Sequence, residues 1–152
     1  MSNASSTTVT VDQPAEAVFA TITDIGQLPD WNAAISKVVE QPPRLEPGAE
    51  WVVRVHALGT SWLSRSRVEE IDTQARRFVY RTCTDDGNPS YAIWSWEVTE
   101  TANGSEVHVS WELHPVTFWR RHLLAKVRSR QLRATEIPAS LSRMADVTAR
   151  RV

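Results

Sequence analysis

The sequence predicts an α+β fold, a curved antiparallel sheet of about seven strands wrapped around a long C-terminal helix, with two short helices after strand 1. Three observations predict it. The stretch from Asn88 to Pro115 alternates strictly about a polar Ala102-Asn103-Gly104 turn, so it reads as two paired strands. Between Ser36 and Thr82 further alternating runs follow one another with only short loops, the spacing of hairpins rather than crossovers. From Val116 onward the apolar spacing changes to three and four residues, the period of a helix.

The elements follow in order. Thr8 to Asp12 is a β-branched run and reads as the first strand. Pro14 suits the first turn of a helix, with Asp12 as its cap and Glu16 near the positive helix end. Val18, Phe19, Ile22 and Ile25 continue it at helical spacing, and Gly26 ends it. A second short helix is expected over Gln27 to Ile35, with Trp31 near its start.

Strands then run from Ser36 to Glu40, Glu50 to Leu58, Thr60 to Asp72 and Arg76 to Thr82. Trp51, Val53, Val55 and Ala57 share one phase, as do Trp62, Ser64, Ser66 and Val68, and Phe78, Tyr80 and Thr82. In the last hairpin Ala92, Trp94, Trp96 and Val98 face the same side as Val107, Val109, Trp111 and Leu113. Arg65, Arg67, His108 and His114 fall on the opposite side and are expected in solvent. The C-terminal helical pattern runs through Phe118 to Val127 and again through Ile137, Leu141, Met144 and Val147. Pro138 either kinks one helix there or opens a second, with Thr135 near its cap.

Composition narrows the function. The chain of 152 residues is expected to form one domain, 1–152, with residues 1–6 frayed. Its 17 basic and 18 acidic side chains leave a formal charge of -1, which gives no general attraction to nucleic acid or an anionic membrane. A basic run from Arg120 to Arg133 could touch an anionic surface as an amphipathic helix, but the charge balance elsewhere favours reading it as the solvated back of a helix. One cysteine, Cys83, fits a reducing, cytoplasmic setting. The N-terminus has no signal-peptide pattern, and no apolar run reaches the roughly 20 residues needed to span a bilayer.

The segments VDQPAEAVFATITDIGQLPDW, VEEIDTQARRFVYRT and WEVTETANGSEVHVSWEL resemble, in that order, the START-like, Bet v 1-like superfamily. It includes polyketide cyclases/dehydratases and lipid carriers. The resemblance covers almost the whole chain and implies a helix-grip fold, in which the sheet encloses an apolar cavity beneath the C-terminal helix. The segment SWLSRS also resembles the pocket strand of the aromatase/cyclase branch, where a tryptophan, a serine and an arginine alternate on one face. Trp62 and Ser64 match that pattern, whereas Ser66 stands at the arginine position. Those enzymes also carry a tyrosine shortly after the tryptophan that follows the first helix. Asn32 to Glu40 contains none.

The expected function is therefore binding or transport of an apolar, aromatic, polycyclic or lipid-like small molecule. The expected lining is Trp31, Trp51, Val53, Trp62, Ser64, Ser66, Phe78, Tyr80, Trp94, Trp96, Trp111 and Leu141. Tryptophans in that number either fill the space under the sheet or line a hollow. Cyclase/dehydratase chemistry is the alternative, with Ser64 and a bound water as its polar candidates and Tyr80 as the one titratable group on that face, and a protein-interaction module is the third. The sequence points to no catalytic residue, metal ligand or cofactor. His108, Glu112 and His114 share a face but lie opposite the tryptophans, and Glu69–Glu70 and Asp85–Asp86 are adjacent pairs whose members point apart.

Overall fold

The computed structural model describes residues 4–57, 59–85, 90–114 and 137–151. Its order is β1 (Ala4–Val11), α1 (Ala15–Ile22), a 3-10 turn (Ile25–Gln27), α2 (Leu28–Trp31), β2 (Ile35–Glu40) and β3 (Glu50–Ala57). Then come β4 (Thr60–Asp72), β5 (Arg77–Thr84), β6 (Tyr91–Thr101), β7 (Gly104–His114) and α3 (Ile137–Arg151). The seven strands form one antiparallel sheet in the order β1-β7-β6-β5-β4-β3-β2. This is the expected meander, with β1 closing against β7, and it gives the helix-grip architecture.

Two of the hairpin turns follow from their residues. Ala57 pairs with Thr60, and Gly59 in the turn between them has φ +74°, a conformation open to glycine at little cost. Gly104 closes the β6–β7 turn where the chain passes close to β1, and a Cβ there would run into the carbonyl oxygen of Val11. Strand β4 carries a register shift between Val68 and Glu70 against β5. The shift returns Ile71 to the phase of Val68 and bends the strand, as bulges do.

The core lies on the concave side. Val53, Val68, Phe78, Trp96, Val98, Val107, Val109 and Trp111 from the sheet meet Val18, Phe19 and Ile22 of α1 and Leu28 and Trp31 of α2. On α3 the buried stripe is Ile137, Leu141, Met144 and Val147, the expected three-to-four spacing. Two polar ties fix α3 against the short helices. Ser140 Oγ accepts the Ala33 N–H at 2.8 Å. Thr148 Oγ1 lies 2.8 Å from the Met144 carbonyl and 2.9 Å from Thr21 Oγ1, which itself bonds the Ala17 carbonyl. Both threonines are fully buried, so these contacts satisfy hydroxyls that would otherwise be costly inside.

Several local expectations are corrected. β1 begins at Ala4 rather than Thr8, and its early residues pair with Glu112, Trp111 and Ser110. Asp12 does not cap α1, because Pro14 occupies the cap position and no side chain bonds there. Gly26 does not end α1 either. The helix stops at Ile22, where Thr23 Oγ1 turns back to the Phe19 carbonyl at 2.9 Å, and Gly26 sits inside the following 3-10 turn. The second helix is shorter than expected, and Trp31 ends it rather than starting it. Pro29 explains the late start, since a proline is tolerated only in the first helical turn. The helical pattern from Phe118 to Val127, the basic run from Arg120 to Arg133 and Thr135 lie outside the described residues.

Candidate ligand-binding face of the sheet

Register places the concave side chains in cross-strand rows. Trp51, Ser66, Thr82, Ala92 and Leu113 stand opposite one another from β3 to β7. The next row is Val68, Tyr80, Trp94 and Trp111, and the one after it is Phe78, Trp96 and Val109. Val53 and Ser64 pair on the other flank, followed by Val55 and Trp62. Every concave position expected from the alternation is therefore on that face, and these positions carry no Asp, Glu, Lys or Arg.

Burial divides the expected lining into two zones. Trp31, Trp51, Trp96, Trp111, Phe78, Val53 and Leu141 are each at most 5% exposed and belong to a closed core. Trp31 meets Trp96 edge to face at 5.7 Å, and Trp51 packs on Phe78 and Tyr80 at 5.9 and 5.0 Å. Trp62, Tyr80, Trp94 and Leu113 share the same concave face but are only partly buried. Trp94 stacks on Trp111 at 5.7 Å, so the open zone is continuous with the closed one.

Small hydroxyls lie between these rings. Ser64 is 7% exposed and Ser66 3%. Ser64 Oγ and Thr82 Oγ1 are 2.6 Å apart, a strong hydroxyl contact between β4 and β5. Thr82 was in phase with Tyr80 and Phe78 in the sequence but was not among the expected lining residues. Its pairing with Ser64 depends on the β4–β5 register.

Tyr80 accepts a hydrogen bond from Trp96 Nε1 at 3.3 Å, so its own proton is left to donate elsewhere. Burial pushes this phenol up to about 12, the Trp96 N–H pulling more weakly the other way. Tyr80 is therefore neutral across the physiological range. Its folded value lies above the ordinary phenol value, so the stability it contributes is intact below about pH 10 and is lost as pH rises toward 12. Wild-type protein is expected to lose about 1–2 kcal/mol over that window beyond what Tyr80→Phe loses, the partly exposed ring reducing the full linkage value. Urea melts of both proteins at pH 9, 10, 11 and 12 check this; parallel curves would remove the shifted phenol.

Two other buried indoles, Trp31 and Trp111, have N–H groups with no hydrogen-bond acceptor among the described residues. That is a real cost in a closed core.

The convex face holds the charges. Arg65 pairs with Glu50 at 3.1 Å and Asp85 at 3.0 Å, and more loosely with Glu40 at 3.7 Å. Hydrogen bonds to Asp85 and then Glu50 raise its pKa further, so it is a fixed cation directed away from the tryptophans. Arg67 is exposed, as its phase requires. His108 bonds Thr8 at 2.8 Å, and His114 stacks on Tyr91 with its Nε2 2.7 Å from Glu112 Oε1. Among the described residues no helix is long and apolar enough to cross a membrane.

A seven-stranded sheet closed around a C-terminal helix, with an aromatic inner face, defines a helix-grip protein of the Bet v 1-like type. The chain belongs to the polyketide cyclase/dehydrase and lipid transport family, whose pattern it matches over residues 4–147. Among solved structures it is similar to the Zhui aromatase/cyclase from Streptomyces sp. R1128. That match has 18% identity, a TM-score of 0.76, and coverage of 97% of this chain and 94% of that one. Ara h 8.0201 matches at 16% identity and a TM-score of 0.71, over 96% and 97% of the two chains. Protein CV1439 from Chromobacterium violaceum matches at 20% identity and a TM-score of 0.68, over 96% of each chain. These likenesses establish the fold. No curated protein matches by sequence.

Proposed function

We propose that this single-domain protein binds or carries an apolar, aromatic, polycyclic or lipid-like small molecule in a cavity between the sheet and the C-terminal helix. The observation that carries the reading is the graded burial of one uncharged face. Trp62, Tyr80, Trp94 and Leu113 remain partly exposed where their phase directs them inward, beside a core that is otherwise closed. An apolar surface with a few convergent polar groups is the common composition of a small-molecule site. A cytoplasmic setting completes the proposal, in keeping with the free thiol of Cys83.

Separate observations rank this above each of the two alternatives. Cyclase chemistry would need charge stabilisation at an enolate, yet buried Ser66 takes the position where the resembling enzymes place arginine, and Arg65 is tied up on the far face. A neutral Tyr80 can donate a hydrogen bond but offers no base near neutral pH. An interaction module would display a broad apolar surface, and Val39 is the sole exposed large hydrophobic among the described residues.

Titration with naphthalene, followed by tryptophan emission and by thermal melting, tests the proposal. The expected result is saturable quenching together with a rise in Tm, since ligand at 100 times Kd adds about 2.7 kcal/mol to stability. Unchanged emission and an unmoved transition up to the solubility limit would count against a cavity.

A further inference from the structure

We propose that Arg67 and Arg81, facing each other across β4 and β5 on the convex side of the sheet, form a binding site for a small phosphomonoester dianion. The site is separate from the concave face and does not depend on a ligand cavity there.

The first argument is a charge arrangement that costs stability as it stands. Strands β4 and β5 carry Arg65, Arg67, Arg77 and Arg81. Arg65 is neutralised by Glu50, Asp85 and Glu40, and Arg77 by Glu70 at 3.1 Å and Glu97 at 3.4 Å. Arg67 and Arg81 are direct register partners, and both are exposed. Neither forms an ion pair with any described residue. Like charges placed directly opposite each other across two strands repel. Glu50 also stands opposite Arg67, but its carboxylate bonds Arg65 instead. An anion between the two guanidiniums would replace the repulsion with two charge-assisted contacts.

The second argument is that Arg81 is held in place. Its guanidinium carbon lies 3.6 Å from the centre of the Tyr91 ring. Tyr91 is backed in turn by His114, with ring centroids 4.6 Å apart and planes 13° from parallel. A guanidinium resting on a supported ring has less freedom to lose on binding, and its N–H fork stays available to an oxyanion.

The third argument sets the size of the ligand. From β3 to β7 the row through the site reads Glu50, Arg67, Arg81, Ile93 and Glu112. Exposed Glu69 lies two residues beyond Arg67, at the register shift in β4. Carboxylates therefore flank the cation pair, and the whole chain carries a formal charge of -1. A polyanion such as duplex DNA or an anionic bilayer would lay further negative charge against those carboxylates. A single small dianion meets the arginines alone. Phosphate fits the pair better than a carboxylate does, because its three oxygens and double charge can engage both forks at once.

The test follows the arginine Nε–H resonances of isotope-labelled protein during titration with methyl phosphate at about pH 8, where that ester is mostly a dianion. Methyl phosphate has no ring to draw it into an aromatic cavity. The titration is repeated with acetate at matched ionic strength, on wild type, Arg67→Gln, Arg81→Gln and Arg54→Gln. Arg54 is an exposed convex arginine outside the pair and serves as the control. The Arg67 and Arg81 signals should move saturably, with a Kd on the order of 1 mM. Either site variant should weaken binding about 10-fold, the worth of one charged hydrogen bond, while Arg54→Gln stays within about twofold. Acetate should bind at least about 10-fold more weakly than methyl phosphate. Vesicles containing phosphatidic acid and a DNA duplex should not bind at the same ionic strength. Shifts that never saturate, equal weakening in Arg54→Gln, or acetate binding as tightly would reduce the effect to general ion screening and overturn the site. Vesicles or DNA held through Arg67 and Arg81 would overturn the small-ligand class.

Discussion

Replacing Trp31 with alanine is expected to lower the unfolding free energy by about 3–5 kcal/mol, the usual range for deleting a fully buried indole. Trp31 is 1% exposed and meets Trp96 edge to face at 5.7 Å, so the change removes both burial and an aromatic contact. It also empties the junction at which α2 meets α3, beside the Ser140 bond to Ala33. In a domain of this length that loss corresponds to a Tm drop of roughly 6–20 °C. Calorimetry or a urea melt checks it. One contribution has the opposite sign, since the Trp31 N–H has no acceptor among the described residues and its removal relieves a buried unpaired donor. A measured loss below about 1 kcal/mol would mean that Trp31 is not part of the closed core.

That contrast between closed core and open face shows where the sequence was informative. Strand β4 was legible to the residue, Thr60–Asp72, because Gly59 before it and the alternation of Trp62, Ser64, Ser66 and Val68 within it both act locally. The faces of β6 and β7 were legible for the same reason: a period of two commits every side chain at once. The positions of Arg65 and Arg67 followed from that phase, and the ion pairs of Arg65 with Glu50 and Asp85 are its consequence. Depth was not legible. Trp94 and Trp96 are in phase and equally apolar, yet one is partly exposed and the other 2% exposed, because depth depends on what lies across the core. The Ser64–Thr82 contact was hidden for a related reason. It requires the β4–β5 register, in which a shift after Val68 leaves Ser66 opposite Thr82 and Ser64 opposite Thr84. Helix ends failed through local competition. Asp12 and Gly26 are good terminal residues by type, but Pro14 and Thr23 stood closer to the ends that formed.

Replacing Trp94 with alanine should reverse the balance seen for Trp31, with a modest stability loss and a large loss of ligand affinity. The ring is partly exposed, so about 1–3 kcal/mol of stability is expected to go, including its stacking on Trp111. If its open face receives the ligand, about 100 Å² of apolar contact disappears, worth roughly 2.5 kcal/mol or about 50- to 100-fold in Kd for naphthalene. Trp31→Ala, measured cold enough to remain folded, should shift the same Kd by no more than about threefold, because the ring it removes lies within the closed core. The pair of variants thus separates a lining ring from a packing ring by the ratio of two measurements. Generic loosening of the fold would move both quantities together in both variants. If Trp94→Ala costs as much stability as Trp31→Ala and leaves naphthalene affinity within twofold, the concave face near Trp94 is packed protein, and the binding site lies elsewhere.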